Sequence, residues 1–205
     1  MADRSGLLID WGGVLTSDLF ASFAAFCADE GLQPTTVRDA FLGDPDARRL
    51  LGDFECGRID AATFEPGFAA VIGVAEPEGL IGRLFGHLEP DLAMQDAVAA
   101  FKRAGIRTGL LSNSWGPETY DRSRFALLFD VLVISGEEGI RKPEPEIYAL
   151  AAERIALPPE RLVFVDDIPG NLKPARALGM ATVHHTDAAT TIAELETLLV
   201  ELPAG

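Results

Sequence analysis

Polar groups that can bind a cation or an anion follow short apolar runs at four widely separated places in the chain. They are Asp10, Ser112 with Asn113, Lys142, and Asp166 with Asp167. Carboxylate oxygens are the ligands that Mg²⁺ prefers, and protein-bound Mg²⁺ commonly also contacts a substrate phosphate. A hydroxyl, loop N–H groups and a lysine suit the other phosphate oxygens, because they offset the charge that grows during phosphoryl transfer. The residue types therefore point to one magnesium ion and one phosphate, provided that the fold brings them together.

The carboxylate of Asp10 is also placed to act as a nucleophile. It could attack phosphorus and form an aspartyl-phosphate that water later hydrolyses. Lys142 would neutralise part of the negative charge that the acids bring to such a site. Taken singly, each residue has a purely structural explanation as a helix cap, a turn former or a solvated charge. The combination favours a site, since capping does not require all four strand ends to carry groups that fit one phosphate and one cation.

Five short runs rich in Val, Ile and Leu predict the elements that would position these groups. They lie at 7–10, 108–112, 131–135, 162–166 and 181–184. The runs lack the alternation of a half-exposed strand, so both faces of each strand should be buried, as in the central strands of a parallel sheet. Ligands of an open parallel sheet bind outside the carboxyl ends of its strands. Pro143 favours an extended backbone at Lys142, and Pro145 suits the first turn of a helix.

Helical patterns connect most of these runs and predict an α/β fold. Met94, Val98 and Phe101 form an apolar stripe within 91–104, with Gly105 as a stop signal. The stretch TIAE at 191–194 predicts a capping box at the start of a last helix.

No run within 17–90 resembles a buried strand, whereas LFASFAAFCADEGL and ATFEPGFAAVIG have helical spacing. We therefore predict an α/β core of residues 1–16 and 91–205, with a helical subdomain of residues 17–90 inserted into it.

Composition and charge exclude several classes of protein. The 205 residues carry a net charge of −15, which opposes nonspecific binding to nucleic acid or to an anionic membrane. No stretch reaches the roughly 18–20 apolar residues of a membrane span, and the N-terminus lacks a signal-peptide pattern, so we expect a cytoplasmic protein. Cys27 and Cys56 have no metal-ligand spacing and should be buried free thiols. The sequence gives no indication of oligomeric state.

Four segments together resemble the motifs of the haloacid dehalogenase superfamily: LLIDWGGVLT, LLSNS, RKPEPEIY and VFVDDIPGNLKPARALGM. FECGRIDAATFE is similar to cap sequences of a subgroup whose cap follows the first motif. The resemblance implies a Rossmann-like core with a helical cap. It also implies roles for individual residues, as follows: Asp10 as nucleophile and Mg²⁺ ligand, the backbone carbonyl of Gly12 with Asp166 and Asp167 as further Mg²⁺ ligands, and Ser112, Asn113 and Lys142 as phosphate-binding residues.

Gly12 departs from the family pattern, because phosphatases of this family usually carry an aspartate at that position. The metal site should survive, since glycine also offers a backbone carbonyl. Proton transfer should suffer, because general acid–base catalysis is typically worth about 10² to 10⁴ in rate. An aryl, acyl or anomeric sugar phosphate needs this assistance less than an alkyl phosphate does.

Several polar residues could replace the missing acid, and we expect other roles for each of them. Asp18 should be the N-cap of the first inserted helix. The remaining candidates are Thr16, Glu55, Arg58, His87, His184 and His185. For Glu55, Arg58 and His87 we expect surface or local capping roles, and for the histidine pair a structural or solvated one. Trp11 should pack rather than stack on a substrate.

The sequence thus predicts a hydrolase, and specifically a Mg²⁺-dependent phosphatase of a small phosphorylated metabolite. A 2-haloacid dehalogenase is one alternative, because halide needs no acid at position 12. That chemistry uses no metal and lacks the paired carboxylates of VFVDD. The other alternative is a binding or regulatory protein that keeps the fold and the metal site but has little turnover.

Overall fold

A parallel sheet of five strands forms the centre of the protein, with the strand order β3-β2-β1-β4-β5. The computed structural model describes residues 4–116 and 119–199. The strands are β1 (Gly6–Ile9), β2 (Arg107–Ser112), β3 (Val131–Ile134), β4 (Leu162–Asp166) and β5 (Ala181–His184). All five predicted strands are confirmed to within one residue at each end. The chain turns to opposite sides of β1 to form the two halves of the sheet, so β1 lies at the topological switch point where ligands bind in such folds.

The central strands are buried on both faces, as their unbroken apolar runs predict. Leu7 and Ile9 pack into the core on one face of the sheet, whereas Leu8 packs into the core on the other face. All three side chains are fully buried. In register, Ile9 lies beside Leu110 of β2 and beside Val165 of β4. The carboxyl ends of these three strands therefore lie level at one edge of the sheet.

Six helices of the described chain follow the inserted region and flank the sheet. They are α6 (Leu92–Arg103), α7 (Phe125–Leu128), α8 (Ser135–Glu138), α9 (Pro145–Ile155), α10 (Pro169–Ala177) and α11 (Ala188–Leu198), with short 3₁₀ turns at Arg122–Arg124 and Pro159–Arg161. The helix predicted within 91–104 is confirmed. Its N-cap is Asp91, whose side chain accepts a hydrogen bond from Met94 N at 2.9 Å. Together with the sheet, these helices form an α/β Rossmann-like fold.

The capping box predicted at 191–194 is wrong. Helix α11 begins at Ala188, and Asp187 is its N-cap, accepting a hydrogen bond from Thr190 N at 2.9 Å. Aspartate is among the strongest N-cap residues, so it starts the helix before the Thr-x-x-Glu pattern is reached. Thr191 consequently lies inside the helix, where its hydroxyl is 2.9 Å from Nδ1 of the buried His185.

Five helices lie between β1 and α6, and we refer to residues 17–90 as the inserted helical segment. Its helices are α1 (Leu19–Asp29), α2 (Thr36–Gly43), α3 (Pro45–Glu55), α4 (Ala61–Ile72) and α5 (Leu80–Leu84). They enclose an apolar core of their own, in which Phe23, Phe64 and Phe85 pack around Trp115 from the loop after β2. The predicted absence of strands from this segment is confirmed for its described residues.

The chain enters and leaves the inserted helical segment along two adjacent connections. Thr16 pairs with Pro90 in an isolated antiparallel bridge, and Ser17 N donates to Glu89 O at 2.7 Å. The predicted boundaries at 16/17 and 90/91 coincide with this crossing. The division into a core of 1–16 and 91–205 and a cap of 17–90 stays a prediction, and residues 1–3, 117–118 and 200–205 lie outside the described residues.

Cys27 and Cys56 are both buried and free, as predicted. Across residues 4–116 and 119–199, the longest apolar helices fall short of what a bilayer crossing needs.

Candidate active site

Three carboxylates meet at the carboxyl edge of the sheet. Asp10, Asp166 and Asp167 each offer one oxygen, and these oxygens lie within 4.8 Å of one another. The strand register explains the meeting, because Ile9 and Val165 are partners and the residues that follow them are Asp10 and Asp166. Asp10 N also donates to Val165 O at 3.0 Å. The predicted convergence of the early acid and the late acid pair is therefore present.

Lys142 lies buried between two of these acids. Its Nζ is 2.9 Å from Asp10 Oδ1 and 2.6 Å from Asp166 Oδ2, and the residue is only 1% exposed. Asn113 fixes the lysine backbone on both sides. Lys142 N donates to Asn113 Oδ1 at 2.9 Å, and Asn113 Nδ2 donates to Lys142 O at 3.1 Å. The asparagine side chain thus holds the lysine in the site, a contact that sequence reasoning missed.

Asp166, the last residue of β4, and Asp167, which follows it, have different surroundings. Asp166 is fully buried, and its oxygens accept hydrogen bonds from Ile168 N, Asn171 Nδ2 and the lysine. Asp167 Oδ1 is buried and has no hydrogen-bond partner among the described residues. A buried carboxylate oxygen without a donor needs a positive partner. The all-oxygen donor set and this unpaired oxygen fit Mg²⁺.

Gly13 allows the Asp167 carboxylate to sit where it does. A Cβ at Gly13 would lie 2.5 Å from Asp167 Oδ2, and the residue has a φ of +75°, which side chains rarely adopt. Gly12 differs from Gly13 both in the space around a Cβ and in its backbone conformation. A Cβ there would meet only Leu19 Cδ2, at 4.0 Å, and the backbone is outside the positive-φ region. The position that lacks the usual aspartate therefore has room for one.

The clustered charges shift the acid–base properties of the site. Burial raises the pKa of Asp10 to about 7, with the charges of Asp166 and Asp167 adding to the rise and Lys142 opposing it. Burial and the charge of Asp166 raise the pKa of Asp167 to about 6. Burial works against the charged form of Lys142, but Asp10 and Asp166 outweigh it and raise the lysine pKa. The site thus has more negative charge than one lysine can balance.

Ser112 lies at the end of β2, as predicted, and is almost fully buried. Tyr120, a residue that sequence reasoning missed, lies with its hydroxyl 3.0 Å from Ser112 Oγ. Burial raises the pKa of this tyrosine, so it stays a hydrogen-bond donor. With the tyrosine donating, the serine hydrogen is directed to Asn113 O at 3.4 Å, a long hydrogen bond that an anion can replace. An aromatic residue eight positions after the strand carries no sequence signal for this contact.

The expectation of a surface or local capping role for Glu55 is wrong. The last residue of α3 is 5% exposed and reaches the strand ends, where its Oε2 is 2.9 Å from Arg141 Nε and 3.3 Å from Asn113 Nδ2. Its backbone oxygen accepts from Ser135 Oγ. Burial raises its pKa to about 7. A buried glutamate is unusual without a partner, and here the arginine beside Lys142 provides one. Glu55 thereby joins the inserted helical segment to the site.

The other candidate residues have ordinary structural roles. Asp18 is the N-cap of α1, as predicted, and accepts from Phe20 N at 2.7 Å. Arg58 and His87 are exposed, and they pair with Asp53 and Asp29 respectively. Trp11 packs against Tyr120 and Phe125, as expected.

Three further candidates hold the backbone or a helix near the site. Thr16 Oγ1 accepts from Gly13 N at 3.0 Å. His184 Nε2 lies 2.9 Å from the backbone oxygen of Asp167, and His185 contacts the helix that follows it.

The Lys142→Met variant should be strongly destabilised in the absence of added metal. Loss of the lysine ammonium leaves the buried carboxylates without their counter-charge. Breaking a buried ion pair in this way typically lowers the free energy of unfolding by about 3–5 kcal/mol. Urea unfolding would measure the change. The matched control is Lys173→Met, which changes an exposed lysine and should cost less than about 0.5 kcal/mol. Equal effects of the two substitutions would contradict the charge balance described above.

Curated relatives of the chain include both much longer proteins and a phosphatase of similar length. Rat bifunctional epoxide hydrolase 2 is 37% identical over 110 residues, covering 50% of this chain and 20% of the relative. Mouse acyl-CoA dehydrogenase family member 10 is 37% identical over 206 residues, covering 94% of this chain and 19% of the relative. The chain thus spans about a fifth of the length of these proteins. The sesquiterpene phosphatase astK of Aspergillus oryzae is 29% identical over 151 residues, covering 71% of this chain and 77% of the relative.

Several solved structures have the same fold as this chain. An enzyme of Bacteroides thetaiotaomicron, solved in complex with magnesium and inorganic phosphate, is 22% identical, with a TM-score of 0.68 and coverage of 89% and 94%. A dehalogenase is 18% identical, with a TM-score of 0.70 and coverage of 97% and 98%. At these identities the similarity shows the fold alone.

The sequence model of one hydrolase family, described as haloacid dehalogenase-like hydrolase, matches residues 5–179. This match includes all the strand-end residues of the site. The chain is therefore a member of the haloacid dehalogenase-like hydrolases.

Proposed function

We propose that this hydrolase is a Mg²⁺-dependent phosphatase that acts through an aspartyl-phosphate on Asp10. The observation that carries the proposal is the meeting of Asp10, Asp166 and Asp167 around Lys142 at the edge of the sheet. The substrate would be a small phosphorylated molecule, and a cytoplasmic location stays a prediction. Several relatives are named phosphatases, astK among them, and one enzyme of the same fold was solved with magnesium and phosphate.

The residues that would hold Mg²⁺ are Asp10, Asp166, Asp167 and the backbone carbonyl of Gly12. Asp167 is the ligand with the most direct support, because its buried Oδ1 has no hydrogen-bond partner among the described residues. When bound, the ion would supply positive charge between the carboxylates and the phosphate, so that two negative groups can approach each other. Asp166 would contribute in a second way, because it also holds the lysine.

The remaining residues would bind and orient the phosphate. Lys142 would compensate charge on the phosphate oxygens while it orients Asp10 through the 2.9 Å contact. Ser112 would donate its hydroxyl hydrogen to the phosphate in place of its 3.4 Å contact with Asn113 O. Asn113 would act by fixing the lysine, and its backbone N–H would be a further donor. Asp10 would then attack phosphorus in line with the departing oxygen.

The glycine at position 12 restricts the leaving group. With no carboxylate at position 12, no side chain there can protonate a departing alkoxide. The site therefore favours esters whose leaving group is stable as an anion. The pKa of Glu55 lies near neutrality, but its contacts are to Arg141 and Asn113. It supports the site through those residues.

A dehalogenase is the second candidate, and the shared fold does not exclude it. The paired acids at the end of β4 and the unpaired Asp167 Oδ1 favour a phosphatase, because displacement of halide by an aspartate needs no cation. The third candidate is a protein that binds metal and ligand with little turnover, and the missing acid at Gly12 is the observation that favours it.

One assay separates the three candidates. The protein is incubated with p-nitrophenyl phosphate and with 2-chloropropionate, each in Mg²⁺ and in EDTA. We expect release of p-nitrophenol that depends on Mg²⁺. Release of chloride that is indifferent to EDTA would identify a dehalogenase. Inactivity on both compounds, together with retained Mg²⁺ binding, would identify the binding protein.

Mg²⁺ should stabilise the protein, and more strongly at pH 8 than at pH 5. The pKa values of Asp10 and Asp167 are raised from about 3.8 to about 7 and about 6. Stability from the protonated forms is therefore fully present below about pH 4 and is lost as the pH rises through 6 to 7. Mg²⁺ at a hundred times its dissociation constant should add about 2.7 kcal/mol once the acids are ionised.

Thermal unfolding with Mg²⁺ or EDTA at each pH would measure this difference. Asp167→Asn is the control, because it removes the unpaired ligand oxygen and should remove most of the Mg²⁺ effect. A stabilisation that is equal at both pH values, or equal in the variant, would argue against these ligands.

A further inference from the structure

We infer that the organic part of the substrate is bulky and apolar, carries no second anionic group, and occupies one large cavity beside the site. This inference rests on the proposed phosphatase function and narrows its substrate class. The cavity has a volume of about 1260 Å³ and lies between the inserted helical segment and the sheet. Cavities that hold drug-sized ligands are commonly about 300–1,000 Å³, so a small sugar phosphate would leave much of this one unfilled.

The cavity begins at residues next to the phosphate-binding groups. Trp11 follows Asp10, Ser114 follows Asn113, and Tyr120 contacts Ser112 through its hydroxyl; all three line the cavity. Gly136, in the short helix α8 that follows β3, lines it as well. A phosphate held at the strand ends would therefore lie beside this space, within reach of it for a bulky organic group.

Large apolar and aromatic side chains from both sides form much of the lining. Examples are Trp11, Phe54, Ile81, Phe85, Trp115 and Tyr120. Burial of apolar surface is the main favourable term when a ligand enters such a cavity. A sugar or a polyol would instead lose hydration of its hydroxyls against these walls. The apolar part of the lining therefore favours a large aryl group, whose oxygen is also stable as an anion.

Charge in the lining opposes a second anionic group. Within the described part of the chain, the cationic side chains of the lining are those of Arg58 and Arg122, and both are paired. Arg58 contacts Asp53 at 3.4 Å, and Arg122 contacts Glu137 at 2.9 Å. Acids outnumber these two arginines, since Asp60, Glu65, Glu89, Asp121 and Glu137 also line the cavity. A carboxylate or second phosphate on the substrate would meet repulsion here.

A series of para-substituted phenyl phosphates tests the inference with leaving groups of similar acidity. The para substituent runs from methyl to hexyl, and a carboxylate is the charged comparison. With Mg²⁺ present, we expect kcat/KM to rise about two- to fourfold for each added methylene over the first members. The para-carboxyphenyl ester should be at least about tenfold poorer than the para-methyl ester.

Gly82→Phe narrows the cavity and tests its location. Gly82 lines the cavity on α5, and a Cβ there would meet no described atom within 4 Å. The variant should lose most of the gain in kcat/KM from methyl to hexyl, so that its loss is much larger on the hexyl ester than on the methyl ester. The matched control is Gly43→Phe, on α2 outside the cavity lining, whose Cβ is equally unobstructed. This control should keep the whole gain.

The outcomes separate the inference from the proposed function. Three results would overturn the inference without contradicting the phosphatase. They are a kcat/KM that does not change from methyl to hexyl, a higher kcat/KM on the carboxylated ester, and an equal loss of kcat/KM on all esters in Gly82→Phe. Phosphate release from none of the esters would overturn the phosphatase. In that case, binding of para-hexyl-phenyl phosphonate and phenylphosphonate is compared by thermal shift. At least tenfold tighter binding of the hexyl compound would uphold the apolar cavity, and equal binding would overturn it.

Discussion

The Asp10→Asn variant should lose phosphatase activity by about 10⁴-fold or more, since removal of a covalent nucleophile usually abolishes nearly all turnover. The amide has the shape of the carboxylate but cannot form the acyl phosphate. The variant should remain folded, because the contact from Trp11 N to the Asp10 side chain needs only an acceptor. Without metal it should be at least as stable as the wild type, since one of three clustered acids becomes neutral.

Steady-state assays with p-nitrophenyl phosphate in Mg²⁺ would measure the loss, and unfolding curves would establish that the variant is folded. The matched control is Asp18→Asn, which changes an aspartate eight positions later. Asparagine serves as an N-cap about as well as aspartate, so this variant should keep its activity within about twofold. If Asp10→Asn kept about a tenth of the activity, Asp10 could not be the nucleophile.

The Gly12→Asp variant should gain activity, by about 10²-fold on alkyl phosphates and far less on p-nitrophenyl phosphate. The added carboxylate would protonate the leaving oxygen, which an alkoxide needs and a nitrophenolate does not. Space is available, because the Cβ would meet only Leu19 Cδ2, at 4.0 Å. Steady-state rates on an alkyl phosphate and on p-nitrophenyl phosphate are measured in the wild type and the variant. A gain confined to the alkyl phosphate indicates acid catalysis, because any other improvement would raise both rates.

Gly13→Asp is the control for Gly12→Asp, because it adds the same group one residue later. Its Cβ would lie 2.5 Å from Asp167 Oδ2 at a φ of +75°, so this variant should be less stable and less active than the wild type. A gain that is equal on both ester types, or no gain in Gly12→Asp, would show that proton transfer is not what this site lacks.

The central part of the site could be predicted because local sequence and sheet geometry both determine it. Apolar runs identify the strands, and parallel strands place their carboxyl ends at one edge. Asp10, Ser112 and Asp166 are the last residues of such runs or follow them directly, so their meeting requires no knowledge of packing. Lys142 was less constrained, since a loop carries it. The contacts of Asn113 with its backbone N and O determine its position.

The remaining contacts depend on packing that no local pattern encodes. Glu55 reaches Asn113 across 58 positions in the chain, and its burial depends on how α3 meets the loop containing Arg141. Gly57 allows this close approach, since its Cβ would lie 2.6 Å from Gly136 O. Tyr120 contacts Ser112 through a loop whose course the sequence does not determine. The last helix was misplaced for a different reason, because two capping signals competed and Asp187 prevailed.

The most direct test of the account is to identify the residue that carries phosphate during turnover. The enzyme is mixed with p-nitrophenyl phosphate and Mg²⁺, quenched in acid, digested, and analysed by mass spectrometry. We predict a phosphoryl group on Asp10. It should accumulate because Gly12 brings no carboxylate to activate water for the second step. Steady turnover with an unmodified Asp10, or with the phosphoryl group on another residue, would contradict the account.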